Sequence, residues 1–255
     1  MKYTKIISLI LALIMVLSLA ACTSNSSDSD SDNPAKQSAN LQSGDITNDS
    51  TNEEIAKYYN EVMKISKADK SFQGDDNLSI GDVELNGDTK ESVKNMILSI
   101  GNSAISAFSG GDYEVYLPYV DQDVEILPDD IESFTVTDNG DTLTLNIKPV
   151  AEENVTKRLN GPQGRFFEVY EDIQTAVSQV QQISFPDGVD DSLKIDYYGG
   201  TVNFTIDKET KKIISGSTEM IAILNITNAK VTILTLKSCT VSLKYKVDYP
   251  KTAEE

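Results

Sequence analysis

The stretch Val231-Thr232-Ile233-Leu234-Thr235-Leu236-Lys237-Ser238-Cys239-Thr240-Val241-Ser242-Leu243-Lys244-Tyr245-Lys246-Val247-Asp248-Tyr249 decides the fold. Its odd positions Val231, Ile233, Cys239, Val241, Leu243, Tyr245, Val247 and Tyr249 form one apolar face without a break in phase. The even positions Thr240, Ser242, Lys244, Lys246 and Asp248 form a wet one. A period of two with one polar face marks an antiparallel strand that packs on one side only. At roughly 3.3 Å per residue such a run spans about 65 Å, longer than ordinary strands, so it must curl or bulge, and Ser238 is the expected place. Working back, Ile213 to Thr227 reads as another strand, preceded by the charged loop Asp207 to Lys212. Before that loop Val202, Phe204 and Ile206 alternate with Thr201, Asn203 and Thr205, and Gly199-Gly200 turns the chain from Leu193, Ile195 and Tyr197. Everything after Pro186 reads as sheet. If the last two strands meet at Asn228-Ala229, Thr227 pairs with Lys230. Ile223 then faces Leu234 and Ile221 faces Leu236 on the side that should be wet. These four residues, Ile221, Ile223, Leu234 and Leu236, form a candidate apolar patch that needs a cover. The helix expected over 53–67, an apolar ligand or a partner protein would each supply one.

Upstream the period changes. From Glu53 to Lys67, Ile55, Tyr58, Tyr59, Val62, Met63 and Ile65 recur at spacings of three and four, and Thr51 with Glu54 makes a capping box, which predicts a helix. A second helix follows Asp88, with Val93, Met96, Ile97, Ile100, Ala104, Ala107 and Phe108 on one stripe before Gly110-Gly111 ends it. A third stripe runs from Phe166 and Phe167 to Val180. Leu78 to Leu85 reads as a short strand. Phe134 and Val136 against Leu143, Leu145 and Ile147 read as a hairpin, for which Asn139-Gly140 supplies turn positions at positive φ. The expected architecture is α+β: a curved antiparallel meander, half-barrel-like, with two or three helices packed on its concave side, as one domain over 53–255.

The chain has 255 residues, with 22 Lys and Arg against 40 Asp and Glu, a net charge of -18. That charge repels phosphate backbones and argues against a nucleic-acid partner. Lys2 and Lys5 precede an apolar run from Ile6 to Leu19, then Ala20 and Ala21, which is the layout of a signal peptide over 1–21. The uncharged run is shorter than the roughly 20 residues a membrane-spanning helix needs. Leu19-Ala20-Ala21-Cys22 resembles the lipobox of bacterial lipoproteins. The resemblance implies cleavage between Ala21 and Cys22 and a diacylglycerol on Cys22, so that the membrane is a partner through that lipid and the chain sits on the extracytoplasmic face of the cell membrane. Two or three acyl chains, at about 0.8 kcal/mol per buried methylene, make a firm anchor. Residues 23–52 are almost wholly Ser, Thr, Asn, Asp and Gln, with Leu41 and Ile46 as the large apolar exceptions, and read as a disordered linker. Asp28, Asp30 and Asp32 open like a calcium loop but lack its glycine and glutamate, so they read as linker too.

The last 70 residues, with Thr205-Ile206-Asp207-Lys208-Glu209-Thr210-Lys211-Lys212-Ile213, resemble the half-barrels of bacterial lipoprotein carriers and uncharacterised lipoproteins of Gram-positive bacteria. That resemblance implies a curved sheet and an apolar-ligand role.

Chemistry is sparse. With no histidine and no tryptophan, imidazole catalysis and Cys2His2 zinc sites are excluded, and a carbohydrate platform is disfavoured. No phosphate loop or Gly-x-Ser-x-Gly elbow occurs. Cys239 lies on the apolar face and reads as a buried thiol. Asp75-Asp76, Asp121 with Asp123 and Glu125, Asp129-Asp130 and Asp190-Asp191 read as solubilising acids, with no metal and no cofactor assigned. Tyr113, Tyr116 and Tyr119 read as core anchors, or else as the edge of a binding surface. The expected function is non-enzymatic: an anchored lipoprotein that binds an apolar ligand or envelope component, or else a protein or cell-wall interaction module without a cavity. A carboxylate-pair hydrolase, needing two acids about 5 to 9.5 Å apart in a cleft, ranks last.

Overall fold

Near-continuous alternation over Ile213–Val231 becomes the longest strand of the structure, β8, and the rest of the sheet is arranged around it. The computed structural model describes residues 46–85, 91–109, 114–155, 161–167, 183–231 and 234–251. Signal peptide, Cys22, most of the linker, Tyr113 and the third helical stripe beyond Phe167 lie outside the described residues. The strands are β1 (Asp75–Leu85), β2 (Ile131–Asp138), β3 (Thr142–Pro149), β4 (Glu152–Val155), β5 (Ile183–Ser184), β6 (Leu193–Tyr197), β7 (Thr201–Asp207), β8 and β9 (Leu234–Tyr249). The helices are α1 (Asn52–Lys67), α2 (Glu91–Ser109) and the short α3 (Pro162–Phe166) and α4 (Val189–Ser192). The fold is α+β, with a large antiparallel sheet, curved like a half-barrel and not closed.

The main path runs β1-β9-β8-β7-β3-β2, all antiparallel. One flank of β8 takes three partners in succession: β7 up to Glu219, β6 over Ala222 to Ile226, and β5 at Lys230 and Val231. Such a change of partners along one strand bends the sheet. At its start Ile206 pairs with Ile213 but Thr205 with Ser215, so Ile214 bulges out and is exposed. Gly216 sits there at φ 145°, and a Cβ on it would lie 2.1 Å from the Asn203 carbonyl oxygen. Only glycine lets β8 pass β7 this closely.

The β8–β9 ladder corrects two expectations. The strands join across Val231 and Leu234, not at Asn228-Ala229, so Ile221 faces Lys244, Ile223 faces Ser242 and Leu236 faces Ala229. The longer ladder wins because it matches Leu224 with Val241 and Glu219 with Lys246. Nor is the apolar phase unbroken. Buried positions on β8 are even from Thr218 to Ile226 and odd at Ala229 and Val231, and on β9 Cys239 is followed inward by Leu236. Pairing stays in register through this switch, and Asn228, at φ 46°, swivels the strand so that the other side is covered beyond it. The bend expected at Ser238 is thus a change of face opposite Thr227.

The β2–β3 hairpin forms as expected, but Asn139 N–H donates to Thr142 C=O at 2.9 Å, so the turn residues are Gly140 and Asp141 and only Gly140 has positive φ. The all-sheet reading after Pro186 is interrupted by α4, which Gly188 enters at φ 90°. Of the stripe expected from Phe166 to Val180 the described residues hold only Phe166 and Phe167, where Phe166 is the last residue of α3 and Phe167 is extended.

Helix α1 has the expected capping box and buries Ile55, Tyr58, Tyr59, Val62 and Met63. Tyr59 stacks on Phe204 (ring centroids 6.4 Å apart) and tilts on Phe166 (5.5 Å), while Phe204 meets the edge of Tyr249. Ser66 Oγ accepts the Ile213 N–H at 2.9 Å, pinning the helix end to the start of β8. Helix α2 packs its Val93, Met96, Ile97 and Ile100 against the core beside β1. The folded unit starts earlier than the expected boundary at 53: Ile46 is buried, and Asn48 and Asn52 bond to the strand region over Pro128 to Val136. A polar segment is ordered here because its asparagines replace backbone partners, which composition alone does not disclose.

Candidate functional site

The two faces of the sheet differ in kind. On the covered face lie Leu143, Leu145 and Ile147 of β3, Val202, Phe204 and Ile206 of β7, Met220, Ala222 and Leu224 of β8, and Val241 and Val247 of β9, all buried. On the other face the strand register aligns polar side chains in rows. One row crosses six strands, Thr135, Asn146, Asn203, Ser217, Asp248 and Asp75. A second runs Thr137, Thr144, Thr205 and Ser215, with the Thr144 and Thr205 hydroxyls 3.5 Å apart. Next to them Thr201, Glu219, Lys246 and Asn77 form a third row, with Lys244 reaching Glu219 at 2.6 Å and Lys246 reaching Asp248 at 2.7 Å. Thr135, Thr137 and Asn203 are exposed. Neighbouring strands lie about 4.8 Å apart, so these rows present hydroxyl and amide groups at a regular spacing over a broad surface. This open face is the candidate interaction surface.

The four residues of the expected apolar patch are not brought together. Ile221 and Ile223 are half-buried on the open face, among Lys244, Ser242 and Asp196. Leu236 is buried opposite Ala229, six residues further along β8 or about 20 Å at strand rise. Leu234 pairs with Val231 at the strand end. The expected cover is corrected too: α1 lies over Phe204, on the face opposite Ile221 and Ile223. The scattering of the patch follows from the misplaced turn.

Cys239 is 1% exposed and burial pushes its thiol up to about 11. Tyr119 is a core anchor whose hydroxyl donates to the Gly164 carbonyl, whereas Tyr116 donates to the surface carboxylate of Glu114. Among the described residues no three acidic or cysteine side chains gather as a metal site. Asp121 pairs with exposed Lys70 at 2.7 Å.

One cluster lies outside every residue expected from the sequence to form a site. Asp130, 1% exposed, holds Arg165 in a two-pronged ion pair, with Nε to Oδ2 at 2.6 Å, and the same Oδ2 accepts the Leu127 N–H at 2.7 Å. The carboxylate raises the Arg165 pKa through that hydrogen bond. Glu152 accepts the Gln163 N–H at 2.7 Å, at the start of α3, and Gln163 Nε2 donates to Val150 C=O at 2.9 Å. Burial, reinforced by the Glu152 charge, pushes Tyr197 up to about 12. Gln163 Oε1 is buried without a hydrogen-bond partner, pressed against Gly200, where a Cβ would come within 3.1 Å of it. The arginine clamps one carboxylate and the helix start uses the other, so this cluster fastens α3 to β4 and the turn before β2 and leaves no pair of carboxylates facing a cleft. Its sequence signal, an arginine beside an aromatic pair in Gly164-Arg165-Phe166-Phe167, is too short to identify the partner across 35 residues. Comparison with models of known families, with curated proteins and with solved structures finds no match for this chain.

Proposed function

We propose that this chain is a non-enzymatic lipoprotein of the extracytoplasmic membrane surface, held by diacylglycerol on Cys22, whose folded unit is an interaction module for an envelope protein or wall polymer. The address rests on Lys2, Lys5, the apolar run and Leu19-Ala20-Ala21-Cys22. The mode of action rests on one observation, the difference between the faces. Among the described residues Tyr59, Phe166, Phe204 and Tyr249 pack ring against ring between α1 and the sheet, the place where an apolar-ligand carrier keeps its cargo. The opposite face offers ordered hydroxyl, amide and paired charged groups. That chemistry suits a polar macromolecular surface.

Two measurements test this. Metabolic labelling with a palmitate analogue is expected to mark the wild type and not Cys22→Ala; label that persists in the variant overturns the anchor. Retention of solubilised envelope material on the immobilised full chain is expected to fall with Asn203→Arg and Thr144→Arg, which place bulk in two adjacent rows. Unchanged retention, or a stoichiometric lipid extracted from the purified protein, overturns the interaction-module reading.

A further inference from the structure

Strand β2 is an end of the main sheet path, and such an end ordinarily presents a row of unpaired N–H and C=O groups that can add another strand. Here the segment ahead of α1 runs antiparallel along it. Asn48 accepts the Val136 N–H at 2.7 Å through Oδ1 and donates from Nδ2 to the Val136 C=O at 2.9 Å, so one amide side chain takes the place of a neighbouring strand's peptide group. Four residues on, Asn52 donates to the Ile131 C=O at 2.9 Å and the Pro128 C=O at 3.3 Å. Asn60 repeats the two-way bond on Ile126, with both distances 3.0 Å. Ile46 anchors the start of the segment in the core. Because the Val136 N–H is given to Asn48, the Val136–Leu145 pair is a non-hydrogen-bonded one. By alternation so is Phe134–Ile147, which turns the Phe134 backbone groups to the same outer edge.

We propose that residues 46–52 are a strap that closes the outer edge of β2, and that its displacement opens this edge to β2 of a second copy. A two-fold partner fits by construction. An antiparallel copy meets the outward groups of Phe134 and Val136 with the same groups, continues the covered face with its own Phe134 and Val136, and continues the open face with its own Thr135 and Thr137. The carboxylates at either end of the strand do not stand against this, since Glu132 is held by Lys148 at 2.7 Å and Asp138 by Lys208 at 2.6 Å. The asparagines between Ile46 and Asn60 are what keep the two edges apart.

The test begins on the wild-type full chain in detergent, by native-state hydrogen exchange. If the strap opens by itself, the Val136 amide exchanges roughly ten times faster than the interior amides of β3, at a rate insensitive to low denaturant. Exchange of Val136 only together with β3 overturns the proposal. Asn48→Ala removes both bonds, and Asn48→Asp keeps the acceptor but sets a carboxylate oxygen against the Val136 C=O. Both are expected to melt cooperatively and to shift sedimentation from monomer towards dimer. In the Asn48→Ala background Thr135→Cys is expected to crosslink between copies on oxidation, and in the wild-type background it is not. Folded, monomeric Asn48→Ala protein without crosslinks overturns the second copy as occupant. If Asn48→Ala does not fold, the exchange measurement and Asn48→Asp decide.

Discussion

Replacing Asp130 by Asn removes the charge from a side chain that is 1% exposed and touches Arg165 twice and the Leu127 N–H once. The guanidinium left behind is itself mostly buried, with 18% of its side-chain surface exposed. Breaking a buried ion pair from one side costs about 3–5 kcal/mol, because the remaining charge keeps its desolvation penalty and loses its counter-ion. The partial exposure of Arg165 lets water screen it, which places Asp130→Asn at the lower end, about 3 kcal/mol. Replacing both residues, Asp130→Asn with Arg165→Met, removes the orphaned charge and is expected to cost less than Asp130→Asn alone. Urea unfolding followed by circular dichroism gives the four free energies of this cycle. The reasoning is refuted if Asp130→Asn costs less than about 1 kcal/mol, or if the double variant costs the sum of the two single ones. The result matters for function because this pair fastens α3 and the turn at Pro128–Asp130, from which β2 and the strapped edge begin.

Three further outcomes are expected. Phe204→Ala, which removes a fully buried ring between Tyr59 and Tyr249, destabilises by about 3–5 kcal/mol in the same assay, and a cost under about 2 kcal/mol, below the scale of large-to-small core truncations, contradicts the packed interior. Gly216→Ala, forced to φ 145° against the Asn203 carbonyl, costs more than about 1 kcal/mol, and a neutral result contradicts the close β7–β8 approach. For Cys239, whose folded pKa of about 11 exceeds its ordinary 9.0, the neutral thiol favours the fold fully below pH 9.0 and this contribution falls as pH rises towards 11. A thiol reagent is accordingly expected to react with Cys239 only on unfolding, and fast labelling of native protein refutes its burial. The hydrogen-bonded carboxylates of Asp138, held by Lys208, and Asp207, held by Thr210, have the opposite sign. Both are lowered from 3.8, so their contribution is present above pH 3.8 and is lost as pH falls below it, which resonance shifts of the two loops in an acid titration follow.

Where the governing interaction is local, the amino-acid order was sufficient. The capping box of Thr51 and Glu54, the 3.6-residue stripe of α1, the alternation of β7, β8 and β9 and the β2–β3 hairpin each depend on residues a few positions apart, and each formed. The α+β class and the burial of Cys239 follow from those periods. What depends on a partner far along the chain was decided by tertiary structure. The turn between β8 and β9 moved because register is chosen by the sum of cross-strand pairs over the whole ladder, and no single residue at Asn228-Ala229 outweighs that sum. The face switch at Asn228 depends on one backbone angle, and so does the choice of Gly140 and Asp141 as turn residues. Asn48, Asn52 and Asn60 look like linker or helix-surface residues in the sequence, since an amide's partners 66 to 88 residues away leave no periodic trace. The pairing of Asp130 with Arg165 is hidden for the same reason: a carboxylate among 40 acids acquires its role only when the fold puts an arginine beside it and takes the water away.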